Sequence, residues 1–412
     1  MSAIAQADCI NLPFPSNYFH AIITSPPYLG LREYEGEQVR TWRAGSYMPM
    51  TGADFIRADG WTGPLGGEPS VELYVFHLML VAREMRRVLR DDGVFWLVLG
   101  DSYNGSGGAG GDYLAGGLRE GQPTYQGRNF SNLKNGDLIG IPQRVWLALQ
   151  ADDWIMRNEV IWYKKVVYPE SRKGWRWQSP PCACVKAQRE AMISQQMEEQ
   201  GTPRHRTFSK PGDIPADPDC LVCQGTGYEV ATKRRYQHSW RHTRSHESII
   251  MLSKQMKYYA NHLAVAEGCK RTNPRDVQTF RRDNYSGRHF AVYPPALVAH
   301  LLEATVPRYC CSECGVPWSP AVERHDGTEV PFGYRANCEH LTDDRLRIPG
   351  RVLDPFFGSG TTGMVAREHG VEFAGTDISF RYLAEQALWR ASRQVPPSQQ
   401  DVSHLPMFSE DL

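Results

Sequence analysis

A glycine-rich turn joining a strand to a helix constrains this chain more than any other feature. Arg351-Val352-Leu353-Asp354 reads as a strand, Pro355-Phe356-Phe357-Gly358-Ser359-Gly360 as the turn, and 361–369 as a helix. A second strand, Val371-Glu372-Phe373-Ala374-Gly375, leads on to Asp377. Glycines in such a turn let the backbone bend sharply and approach a ligand closely. No lysine follows Gly360, as it would in a triphosphate-binding P-loop. An acid at the end of the next strand is where nucleoside-binding α/β folds receive ribose hydroxyls, and Asp377 takes that place. The candidate ligand-binding residues are therefore Asp354, Pro355, Phe356, Gly358, Ser359, Gly360, Thr361, Thr362 and Asp377.

A second motif, Ser25-Pro26-Pro27-Tyr28, closes the apolar strand around Ala21-Ile22-Ile23. Alone it reads as a Pro-rich turn. Chemistry offers more. An exocyclic amine of cytosine or adenine is a poor nucleophile, because its lone pair is delocalised into the ring. One side-chain oxygen and one backbone carbonyl aimed at the amino hydrogens would favour its attack on a sulfonium methyl group. Prolines hold that backbone rigidly and remove competing N–H donors, and the aromatic beside them can stack on a base taken out of the duplex.

Between the two motifs, helical and strand patterns alternate. Apolar positions at helical spacing fill 72–92, Asp91-Asp92-Gly93 supplies a turn, and Val94 to Leu99 is a continuous apolar run suited to a buried parallel strand. A helix at 142–151 precedes a strand at 158–163, and strand patterning resumes at 248–252. The alternation predicts a doubly wound α/β sheet. Two stretches interrupt it: 104–127 is glycine-rich, and 170–245 is polar, basic and cysteine-bearing. The expected organisation is a catalytic half at 1–169, an inserted recognition region at 170–285, a ligand-binding half at 286–392 and a flexible tail at 393–412.

The 412 residues are 41% hydrophobic and 22% charged, ordinary for a globular protein. No apolar run approaches the roughly 18 residues of a membrane helix, and the first residues lack signal-peptide character; a cytoplasmic location is expected. Net charge is zero, but basic residues cluster at Lys233, Arg234, Arg235, Arg241 and Arg244, and again at Lys270, Arg271, Arg275, Arg281, Arg282 and Arg288. Tyr236, Trp240 and Tyr285 are interleaved, which suits phosphate contacts combined with base stacking. Of ten cysteines, Cys9 and Cys269 stand apart and eight gather in two groups. Cys182, Cys184, Cys220 and Cys223 could bind a structural zinc ion as two close pairs. Cys311, Cys314, Cys338 and His340 form a Cys3His set in which Cys310 could replace Cys311.

Both motifs, and their order, resemble the amino-methyltransferases of DNA, in the class where the catalytic motif precedes the cofactor motif. Ala7-Asp8-Cys9, Arg87 to Gly93 with Gly100-Asp101-Ser102-Tyr103, Trp154 to Lys164 and His289-Phe290-Ala291-Val292-Tyr293-Pro294 are similar to further family blocks. The resemblance covers roughly 1–34, 72–170, 246–258 and 288–392. It implies a Rossmann-like fold, S-adenosylmethionine as cofactor, Asp8 against the cofactor's adenine, Phe290 packed on the cofactor, and Ser25, Pro26, Pro27 and Tyr28 as the catalytic residues. It further implies double-stranded DNA as partner, with a homodimer and a cognate restriction enzyme compatible with it. Members with Ser in the first motif position more often act at cytosine N4, and those with Asp or Asn at adenine N6, so Ser25 points to N4 with adenine N6 as the alternative. Ser179-Pro180-Pro181-Cys182 imitates the Pro-Cys motif of cytosine C5 enzymes, but Cys182 lies beside Cys184 without a preceding strand and suits a metal better. A zinc-stabilised nucleic-acid-binding protein without catalysis, and an RNA or protein amide methyltransferase, are the remaining readings.

Overall fold

The computed structural model of the chain describes residues 3–30, 38–105, 129–164, 246–266, 272–280, 293–325, 328–340, 347–380 and 383, with short stretches at 175–178, 184, 220, 232–235, 242 and 244–245. The chain forms two compact units, one of Met1–Lys164 with His246–Leu412 and one of Lys165–Ser245. In the second, strands Trp175–Gln178 and Thr232–Arg235 pair antiparallel.

The first unit is built on an eight-stranded sheet. Its strands are β1 (Ala3–Gln6), β2 (Phe19–Thr24), β3 (Leu89–Leu99), β4 (Ile155–Tyr163), β5 (His246–Ser253), β6 (Val277–Gln278), β7 (Arg351–Asp354) and β8 (Glu372–Asp377), in the spatial order β1-β8-β7-β2-β3-β5-β4-β6. The five from β1 to β3 run parallel, and β5 runs antiparallel to both β3 and β4.

Side chains alternate between faces along each strand. Ile22, Phe95, Leu97 and Leu99 join one core with helices α1 (Val71–Val88) and α2 (Ile141–Ala151). Ala21, Ile23, Val94, Trp96 and Val98 join the other with α3 (Pro295–Thr305) and α4 (Thr361–Glu368). Helices thus cover both faces of a mainly parallel sheet, the Rossmann-like, doubly wound arrangement that the alternation predicts. The ends of α1 follow from its sequence: Ser70 Oγ accepts the Leu73 N–H at its start, and Arg86 and Arg87 occupy its last turn, where cations oppose the helix dipole.

Two expectations change. Asp91-Asp92-Gly93 is not a turn between elements but part of β3, which begins at Leu89. Phe19 pairs with Leu89 and Ala21 with Val94, so Arg90 to Gly93 bulge opposite His20, with the Arg90 guanidinium bonded to Asp92 across the bulge. Within the span 170–285, the segment His246–Ser253 is β5, paired on both sides in the sheet. Residues 106–128 and 384–412, which hold most of the glycine-rich stretch and the whole tail, lie outside the described residues. No helix among the described residues is long and apolar enough to cross a membrane.

Candidate active site

Strands β2 and β7 are parallel neighbours, with Ala21 beside Val352 and Ile22 beside Leu353. Ser25 to Tyr28 and Pro355 to Gly360 therefore leave the sheet side by side at its carboxyl end, where α/β folds bind ligands. Thr24 Oγ1 donates to Asp354 Oδ1 at 2.6 Å and joins the two loops directly. Asp354 is buried, and its carboxylate also accepts from Tyr293 Oη at 2.6 Å, Thr362 Oγ1 at 2.7 Å and the Phe356 N–H at 3.1 Å. Burial pushes its pKa up while these four donors oppose the shift. The residue thus ties β2, β7, α4 and the segment before α3 into one node.

Gly358 and Gly360 adopt positive φ angles of 46° and 73°, which only glycine takes at little cost, and Gly360 opens α4. The loop is held from the next strand: Asp377 accepts the N–H groups of Gly358 and Ser379, both at 3.0 Å. Burial raises the Asp377 pKa to about 6. Strand β1 pairs with β8 so that Gln6 lies opposite Asp377, which brings Asp8 to the same edge. Asp8 accepts the Ile10 N–H at 3.1 Å and forms an ion pair with Arg40. Phe290 lies outside the described residues.

The Ser25-Pro26-Pro27-Tyr28 turn is braced on three sides. Tyr74, from α1, donates to the Pro27 carbonyl at 2.8 Å. Behind the turn, the Gly66 carbonyl accepts the Gly30 N–H, the Gly66 N–H donates to the buried Glu68, and Glu68 in turn bonds His77 at 2.8 Å. The Tyr28 ring lies against Gly100, where a Cβ would stand 2.5 Å from a ring carbon. Ser25 Oγ donates to Tyr28 Oη at 3.2 Å, and Tyr28 Oη donates to Glu247 at 3.0 Å.

The family profile described as DNA methylase, of the N6/N4 class, matches residues 19–387. The chain belongs to the N6/N4 DNA methylase family. It is an S-adenosylmethionine-dependent methyltransferase of DNA amino groups. The methylase is 27% identical to the Type II methyltransferase M.SmaI of Serratia marcescens over 389 residues, covering 91% of this chain and 86% of the relative. It is 26% identical to M.XycI of Xanthomonas campestris pv. cyanopsidis over 93% of this chain and 85% of that protein. A solved structure titled as the cytosine-N4-specific PvuII DNA methyltransferase aligns over 96% of this chain and 87% of its own at 13% identity, with a TM-score of 0.45.

The cysteine groups of the methylase differ in what the structure brings together. Cys182 and Cys223 lie outside the described residues, so the first set is not assembled by the described part of the chain. In the second, the ligand atoms of Cys311, Cys314, Cys338 and His340 all lie within 4.8 Å of one another. Backbone N–H groups of Cys314 and Glu313 lower the Cys311 thiol pKa to about 7. Cys310 faces the other way, with its Sγ 3.2 Å from His20 Nε2. His20 Nδ1 accepts the Arg351 N–H at 3.1 Å, so Nε2 carries the proton and donates to the Gly315 carbonyl at 3.3 Å. His20 and Arg351 lie near the amino ends of β2 and β7, so this knuckle sits at the end of the sheet opposite the two loops.

Five residues that shape the candidate site escape a reading of motifs alone. Tyr293 belongs to a quoted family block but carries no local sign of its bond to Asp354. Tyr74 sits mid-helix, while Glu247 and Lys164 flank strand ends that the fold alone brings to Tyr28. Asp101 accepts the N–H groups of Gly140 and Ile141 at 3.1 Å each and so caps the start of α2.

Proposed function

We propose that the protein transfers a methyl group to the exocyclic amine of a base flipped from double-stranded DNA at a specific sequence, cytosine N4 in preference to adenine N6. The bond from Thr24 to Asp354 carries this reading, because it clamps the Ser-Pro-Pro-Tyr turn to the glycine loop on adjacent strands. Ser25 supports cytosine over adenine through the family's usage at that position.

The residues suit the cofactor. The positive-φ glycines make a loop without side chains, and the acids Asp377 and Asp8 stand at the ends of β8 and β1. A carboxylate offers about four acceptor sites, and Asp377 uses two, which leaves capacity for ribose hydroxyls. Asp8 would contact the adenine and Phe290 would pack on the cofactor, Pro355, Phe356, Ser359 and Thr361 would shape the loop, and Asp354 would act by fixing it. When bound, S-adenosylmethionine supplies an electrophilic methyl group on a sulfonium centre. Ser25 Oγ and a backbone carbonyl of the turn accept the two amino hydrogens and localise the nitrogen lone pair. Since Tyr74 engages the Pro27 carbonyl, the Pro26 carbonyl takes that part. The Tyr28 ring stacks on the base, with Gly100 leaving room beneath it.

The inserted unit Lys165–Ser245, with its basic run and the first cysteine set, is proposed as the reader of target sequence. The Cys311, Cys314, Cys338 and His340 set fits a structural zinc ion: three sulfurs and one imidazole already share one small volume, and tetrahedral thiolates at about 2.3 Å from zinc stand ~3.8 Å apart. The Type II relatives further suggest a cognate restriction enzyme as counterpart.

The test is transfer from isotope-labelled S-adenosylmethionine to unmethylated phage DNA, RNA and protein, followed by nucleoside mass spectrometry. N4-methylcytosine in DNA is expected. N6-methyladenine would overturn the base assignment, and labelling of RNA or protein but not DNA would overturn the substrate. Tyr28→Ala should impair handling of the base, while Asp377→Ala should weaken mainly cofactor binding.

A further inference from the structure

Serine is an ambiguous choice beside an amino group. Its hydroxyl both donates and accepts, whereas the two amino hydrogens need acceptors only. If the Ser25 proton pointed at the base, it would repel those hydrogens or occupy the nitrogen lone pair that must react.

The surroundings of Ser25 remove the ambiguity. Glu247 directly precedes the stretch of β5 that pairs antiparallel with β3, Ser248 standing opposite Leu99, so it reaches the same end of the sheet as the catalytic turn. Lys164, at the end of β4, forms an ion pair with Glu247, and its ammonium also lies 4.6 Å from the centre of the Trp162 ring. The carboxylate is thus anchored and half-buried. A carboxylate only accepts, so the single Tyr28 hydroxyl proton is committed to Glu247 at 3.0 Å. Burial, followed by the nearby Glu247 charge, holds the Tyr28 pKa well above the usual phenol range, which keeps that proton in place. Tyr28 Oη can then only accept, and it receives the Ser25 proton at 3.2 Å. Among the described residues Ser25 Oγ has no other hydrogen-bond partner, so what remains on it is lone pairs.

We propose that Glu247, anchored by Lys164, is a positioning residue that fixes the direction of the Ser25–Tyr28 hydrogen bond and so makes the Ser25 oxygen an obligate acceptor for the amino group of the target base. This rests on the reading of the site as a DNA amino-methyltransferase. It gives Tyr28 two separable parts, a ring for the base and a hydroxyl for serine. It also explains a charged pair beside an otherwise apolar turn. An acid at position 25 would accept by nature; a serine needs its proton placed elsewhere.

The test compares the wild type with Glu247→Leu, which removes the acceptor, Tyr28→Phe and the double variant. Initial methyl-transfer rates on unmethylated phage DNA are measured at saturating DNA and cofactor, and cofactor affinity separately by calorimetry. Each single variant should lower the turnover rate by about tenfold to a hundredfold, as for loss of one preorganised contact in the transition state. Cofactor Kd should stay within about twofold of wild type. The double variant should be no slower than the slower single one, because both break the same chain. Wild-type turnover in Glu247→Leu overturns the proposal. So do losses that multiply, or a matching loss of cofactor affinity, which would mark a merely structural role. A wild-type protein that methylates no DNA would instead remove the parent reading, and this proposal with it.

Discussion

The two ends of strands β2 and β7 are held together by opposite means. At the carboxyl ends the link is a buried carboxylate, Asp354, satisfied by Thr24, Tyr293, Thr362 and a backbone N–H. At the amino ends the link is a neutral histidine, His20, accepting from Arg351 and donating to a loop of the cysteine knuckle. The first end has its loops fixed by hydrogen bonds, as the proposed binding site requires. The second closes soft ligands onto one another, as a staple requires. The same pair of strands thus separates chemistry from mechanical support, and each end should respond to a different insult.

The largest effect is expected from Asp354→Ala. It removes the acceptor of the buried Thr24 and Thr362 hydroxyls, each worth about 1–3 kcal/mol when left unpaired, and of the half-buried Tyr293, so urea denaturation should show a loss of roughly 2 kcal/mol or more and cofactor binding should vanish. Retained cofactor affinity would mean that the node does not shape the glycine loop.

Next, metal analysis of the purified protein should find zinc at the knuckle, and Cys311→Ser or a strong chelator should lower the Tm by about 5 °C or more. Turnover of the protein that remains folded should be unchanged, since the knuckle sits at the far end of the sheet. A fall in turnover without a fall in Tm would erase the division between the two ends.

Gly100→Ala should act in the reverse sense. Its methyl group would press on the Tyr28 ring, costing about tenfold in turnover with little change in Tm.

The smallest effect concerns pH. The folded-state pKa of Asp377 is raised to about 6, above its ordinary value, so its ionisation costs stability. That cost is absent below the unfolded pKa of about 3.9 and complete above pH 6. Ribose hydroxyls favour the ionised form, so cofactor affinity should be full above pH 6 and fall as pH drops below it. Calorimetry across this range should show the slope, and Asp377→Asn should abolish it.

Much of the fold was legible because its signals are local. The apolar run Val94 to Leu99, the Ser70 cap and the glycines at 358 and 360 each express preferences of a few adjacent residues. The turn expected at Asp91-Asp92-Gly93 shows where local reading stops: in isolation those residues favour a turn, but pairing with β2 carries them through as a bulge. The site was legible to the same depth. Ser25 to Tyr28 and Asp354 to Asp377 are short strings with their own chemistry, whereas Glu247 and Tyr293 are ordinary residues whose partners lie far along the chain.

By itself the sequence determined the order of strands and helices, the two loops, and the family to which they belong, because backbone preferences and side-chain chemistry act over short spans. Tertiary structure decided which cysteine, Cys311 or Cys310, faces the other ligands. It also decided that Asp354 spends its oxygens inside the protein and in which direction the Ser25 hydroxyl points. Those outcomes depend on groups hundreds of residues apart meeting within hydrogen-bond distance, and only the packed sheet brings them there.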